Sequence, residues 1–152
     1  MMSICSRAQE KVSIAVLQDV RLAVTGDDKG NAAFTTNILA RVKMQGKQSE
    51  FGYLIIYPEF EYANLKQVYL RYSANVGYTL NHLFIKNLEA SLIGGIGFIN
   101  RGGEGSSSFS ATGELGYRIS KHLKIITDLQ LVQRSDIGVG KVSGFVGLEL
   151  NF

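Results

Sequence analysis

Two histidines, one cysteine and a spaced set of charges are the parts of this 152-residue chain that could do chemistry. A histidine acts as a catalyst when a nucleophile or acid lies within hydrogen-bond reach. His82 and His122 instead fall in segments that read as turns, so both are expected to be solvated. Asn100-Arg101-Gly102-Gly103-Glu104-Gly105 has the glycines of a phosphate-cradling loop. No lysine-serine pair follows and no helix opens there, so it reads as a flexible connection. Asp27-Asp28-Lys29 offers two adjacent carboxylates, fewer oxygens than a calcium ion needs. The lone Cys5 excludes a disulfide framework and a multi-cysteine metal site. No catalytic residue, cofactor site or metal site is expected.

The charges are better explained by their positions. Asp19, Arg21, Arg41, Lys43, Arg71, Glu89, Glu114, Arg118, Lys124, Asp128, Arg134 and Glu149 alternate with apolar residues. Seven are basic and five acidic, so the set is nearly balanced. The whole chain carries +3, too little to imply nucleic acid.

Alternation of period two is the signature of strands with two unlike faces. From 68 to 80, Val68, Leu70, Tyr72, Ala74, Val76, Tyr78 and Leu80 form one apolar face. Similar runs are read over 12–24, 34–44, 88–98, 109–119, 123–134 and 142–152. The stretch 51–57 is apolar on both parities, which leaves its facing open. Together these make eight strands, mostly long enough to cross a bilayer at a tilt. Gly, Asn, Asp and Ser dominate the links, as turns require. Short links imply antiparallel neighbours, and an even number of strands closes without edges. The expected fold is all-β: a closed up-and-down antiparallel eight-stranded transmembrane β-barrel. Mean hydropathy is +0.07, yet no apolar run is long enough for a membrane helix.

Which parity faces inward separates two classes of protein. A soluble, lipocalin-like barrel would turn its apolar parity inward around a hydrophobic ligand. A membrane barrel turns it toward lipid and keeps Arg21, Arg41, Arg71, Glu89, Glu114, Arg118, Asp128 and Glu149 in the lumen. The aromatics favour the membrane. With the N-terminus periplasmic, Phe51, Tyr78, Tyr117 and Phe152 fall at one end. Phe34, Tyr57, Phe98 and Phe109 fall at the other. Two such girdles around an aliphatic band match the interfacial preference of aromatic rings. Tyr57-Pro58-Glu59-Phe60-Glu61-Tyr62 reads as an extension of a hairpin above the bilayer, or as a docking point for a partner.

The last residues, Val142 to Phe152, form an alternating strand with a terminal Phe. They resemble the β-signal of bacterial outer-membrane proteins, with Phe152, Leu150 and Leu148 as its hydrophobic positions. That resemblance implies recognition by the barrel-assembly machinery. Residues 9–152 look like a small outer-membrane barrel of the OmpA/OmpX type, and the Gly-rich strands are similar to barrels of Bacteroidetes-like bacteria. Residues 1–8, ending Ser6-Arg7-Ala8, read as the remnant of a secretory signal peptide; a lipoprotein role for Cys5 fits less well.

These readings converge on an integral protein of the cell outer membrane with both termini periplasmic. Its partners would be outer-membrane lipid, the assembly machinery and an envelope protein complex, with no nucleic acid. A structural, adhesive or complex-subunit role is expected, with a plugged lumen and no enzymatic activity. A lipid-modifying barrel enzyme would need a histidine at the outer rim, and neither histidine is placed there.

Overall fold

The computed structural model describes residues 11–26, 30–81, 83, 85–134 and 139–152, with Arg134 and Val139 described for backbone alone. Its elements are β1 (Lys11–Asp19), α1 (Val20–Val24), β2 (Asn37–Gln45), β3 (Gly52–Ala63) and β4 (Tyr69–Leu80). β5 (Leu88–Arg101), β6 (Glu104–Arg118), β7 (Leu123–Arg134) and β8 (Val139–Asn151) complete them. Each strand pairs antiparallel with its sequence neighbour, and β1 pairs with β8, giving a closed up-and-down barrel. Closure follows from the two-faced strands: it gives every ladder a partner and leaves no edge.

Alternation sets the facing. In β4, Arg71, Ser73, Asn75 and Thr79 are buried, while Tyr72, Ala74, Val76, Tyr78 and Leu80 are exposed. The same holds around the barrel, so the polar parity points inward and the apolar parity outward. A soluble barrel of this sequence would show the reverse. No helix among the described residues is long and apolar enough to cross a membrane, which says nothing about strands.

Three expectations are corrected. Alternation over 12–24 predicts one strand, but the chain turns helical at Val20. β1 has its last partners in Gln18↔Ile38 and Asp19↔Phe145; β2 begins only at Asn37, and residues 20–24 leave the β8 ladder although β8 itself extends to Val139. Asp19 caps the turn instead, accepting the Leu22 N–H at 2.9 Å. Arg21 is therefore exposed on α1 and is not a lumen charge. Second, Tyr57 to Tyr62 is no surface extension; it is the second half of β3, paired to β4 throughout. Third, Asn100 to Gly105 is a tight hairpin. Gly102 and Gly103 adopt φ of +60° and +92°, and Arg101 pairs with Glu104 across them. Two left-handed residues suit the twist of such a turn, and glycine adopts them without strain.

Some expectations lie outside the described residues: the segment 1–8, the start of the barrel domain at Gln9, Cys5, His82 and Asp27-Asp28-Lys29. His122 sits in the β6–β7 turn, its ring Nδ1 3.1 Å from the Asn151 carbonyl oxygen.

Candidate functional site

The charged groups of the lumen network come from seven strands. β2 supplies Arg41 and Lys43, β3 Glu59 and Glu61, and β4 Arg71. β5 supplies Glu89, β6 Glu114 and Arg118, β7 Lys124 and Asp128, and β8 Glu149. Apolar clusters brace them from the barrel wall. Ala15, Leu17, Leu39, Ile126 and Phe145 form one, and Tyr53, Ile55, Tyr57 and Ile93 another. Ala63, Tyr69, Ile99 and Val132, with Leu65, close the end away from the chain termini.

Ion pairs run through this interior as one chain. Arg71 meets Glu59 at 2.7 Å and approaches Glu61 at 4.0 Å. Arg41 donates from Nε to Glu59 at 2.7 Å, from Nη1 to Glu114 at 2.9 Å, and from Nη2 to Asp128. Lys43 joins Glu114 at 2.6 Å to Glu149 at 2.7 Å. Lys124 continues from Glu149 at 2.7 Å to Glu89 at 2.9 Å, and Arg118 pairs with Glu89 at the mouth. Ser108 and Ser110 accept from Arg71 at 3.3 and 2.8 Å, and Gln130 donates to Glu59 at 3.0 Å. A buried charge is tolerable only when compensated in this way.

Most of the expected lumen residues meet here: Arg41, Arg71, Glu89, Glu114, Asp128 and Glu149 are all buried. Arg118 is 43% exposed and marks the mouth rather than the middle. Parity alone missed Glu59 and Glu61, because their strand is apolar on both faces up to Tyr57 and holds the only proline. The same ambiguity misplaced Tyr57. It is 1% exposed, with its ring 5.1 Å from the Arg41 guanidinium carbon, so it belongs to the lumen and not to a girdle. The signal that could have found them is charge itself, since Glu59 and Glu61 share a parity that the cations opposite them require.

The arrangement is a buried interior of paired charges. Each central cation is held by two or more carboxylate contacts, and among the described residues no hydrogen bond joins a serine or threonine hydroxyl to a histidine ring. A cavity of about 30 Å³ beside Asn37, Glu61 and Gln130 holds little more than one water. The ion-pair network lies between it and a cavity of about 280 Å³ at the opposite mouth, lined by Tyr53, Glu89 and Arg118 among others.

Outside, the barrel wears an apolar belt. Val16 is 51% exposed, Leu92 75% and Leu148 52%, far above what a buried core shows. Phe51, Tyr78, Tyr117 and Phe152 ring the end that carries the termini, all exposed. At the other end Phe98 and Phe109 are exposed as expected, joined by Phe60 and Tyr72 in the place given to Tyr57. Phe34 stands outside the strand order, at φ +64° in the β1–β2 connection and 90% exposed. Leu148 and Leu150 point outward on β8, and the Phe152 N–H bonds the Val12 carbonyl at 3.0 Å across the β1–β8 seam.

No family model matches the chain, and no curated protein matches its sequence. Among solved structures it is similar to the crystal structure of Neisserial surface protein A. The two share 10% identity with a TM-score of 0.51, over 93% of this chain and 94% of that one. At that identity the likeness is one of fold.

Proposed function

We propose that this chain is an integral outer-membrane β-barrel that crosses the bilayer on its eight strands, with both termini periplasmic. Its role is structural, adhesive or that of a subunit in an envelope complex, without enzymatic activity and without an open pore. One observation carries the reading: the apolar parity faces outward around the barrel while charges are paired inside. In water that arrangement exposes a continuous apolar surface far beyond the patches soluble proteins carry. In hydrocarbon it is the stable one, since every strand is paired and no edge is left. The aromatic rings at both ends and the fold shared with a surface protein support it. Leu148, Leu150 and Phe152 then serve as the assembly signal.

The test is extraction and gel mobility. The protein should require detergent and run as a compact species unheated, shifting after boiling. A monodisperse, folded protein in plain buffer would refute the membrane reading.

A further inference from the structure

The β2–β3 ladder has a gap. Pairing runs through Ala40↔Phe60 and Arg41↔Glu59, resumes at Met44↔Ile56 and Gln45↔Ile55, and omits the two positions between. Register is unchanged across the gap, so no residue has been inserted. The omitted positions are Val42 with Pro58 and Lys43 with Tyr57. Bonded and non-bonded pairs alternate in an antiparallel ladder. Losing these two together fits Val42 opposite Pro58 as a bonded pair whose proline member has no N–H. On its other side Pro58 keeps its place opposite Ala74 in the β3–β4 ladder. The Val42 carbonyl therefore faces the Pro58 ring, whose Cδ methylene stands where another residue would carry its N–H.

Over this gap lies a concave groove of about 860 Å³ on the outer face, lined almost wholly by apolar atoms. Val42, Pro58 and Ala74 form its floor, and Phe60, Tyr72 and Phe98 its wall. The Phe60 and Tyr72 rings lie 5.1 Å apart and tilted at 45°. Small residues flanked by rings make the depression: Ala40 pairs with Phe60, Phe60 with Tyr72, and Tyr72 with Phe98. The groove thus combines hydrocarbon lining with a backbone acceptor that its own sheet leaves unbonded. In a bilayer an unbonded carbonyl is costly, and water is not there to relieve it.

We propose that this groove seats one hydroxylated acyl chain of a membrane lipid, whose hydroxyl donates to the Val42 carbonyl while the chain packs along the aromatic wall. The proposal rests on the bilayer reading above. A narrow, flexible chain can follow the depression and bring its donor to the floor. The broad convex wall of a second barrel cannot.

The experiment uses the full chain in detergent, incubated with phosphatidylethanolamine carrying either a hydroxyacyl or a plain acyl chain, with bound lipid counted by native mass spectrometry. The hydroxyacyl lipid should be retained over the plain one by roughly tenfold, the equivalent of about 1.4 kcal/mol and the size of one net hydrogen bond. Ala74→Phe fills the floor and should abolish retention of both lipids. Pro58→Ala restores an N–H to the ladder and should erase the preference while leaving plain lipid bound. Equal retention of the two lipids by the native protein would overturn the proposal. So would a preference that survives Pro58→Ala, retention untouched by Ala74→Phe, or lipid-free paired barrels. A barrel that needs detergent yet shows no preference sinks this inference alone; one that needs no detergent sinks the bilayer reading first.

Discussion

Arg41 holds the interior together. Its guanidinium reaches Glu59, Glu114 and Asp128 from three other strands, and its face lies over Tyr57. Replacing it by Met would leave three buried carboxylates without their shared cation. Breaking such a pair from one side costs about 3–5 kcal/mol, because the remaining charge stays buried and uncompensated. Arg41→Met should therefore lower the unfolding free energy of the detergent-solubilised barrel, measured by urea titration, by that amount; an unchanged urea midpoint would show that the network is dispensable. The inward position of Arg41 was legible from alternation, as were those of Arg71, Glu114, Asp128 and Glu149. Which acid each would meet was not, since partners such as Arg41 and Asp128 are 87 positions apart in sequence. Tyr57 and Glu59 were illegible for a local reason: an apolar run has no parity to read, and Pro58 imitates the end of a strand.

Among the elements, the β1–β8 seam decides whether the barrel closes. Gly147 pairs with Leu17 there, and the two backbones approach closely. A Cβ on residue 147 would run into the Val16 carbonyl oxygen and lie 2.6 Å from the Leu17 Cα. The two nearest atoms belong to the β1 backbone, which cannot yield as the far end of a side chain would. Gly147→Ala should destabilise the barrel by about 1–3 kcal/mol, as overpacking does. It should be seen as a smaller compact fraction on unheated gels, and native-like mobility at the native yield would contradict the seam's tight register. Alternation made seven of the strands legible, β4 and β7 nearly to both ends. It failed at Val20, where Val, Leu and Val still alternate but the chain leaves the β8 ladder for a capped helical turn. Capping by Asp19 then decides the local structure. It also missed the Gly102-Gly103 hairpin, because a glycine-rich link fits a tight turn and an open loop equally well.

For the whole molecule, the near-neutral sequence and its modest mean hydropathy are two consequences of one architecture. Outward residues are apolar, inward ones are charged in opposed pairs, and neighbours along the chain cancel in any average. The fold class was legible because period-two alternation persists through long strands. The outer groove was not, because it arises from a missing ladder bond between strands and not from any motif. The most direct test is nitroxide scanning along β4 in reconstituted vesicles, with Cys5 replaced by Ser. Labels at Tyr72, Ala74, Val76 and Tyr78 should collide with oxygen dissolved in the bilayer, while Ser73, Asn75 and Thr79 stay shielded, giving an oscillation of period two. Outward positions reached instead by a water-soluble relaxation agent would contradict the account.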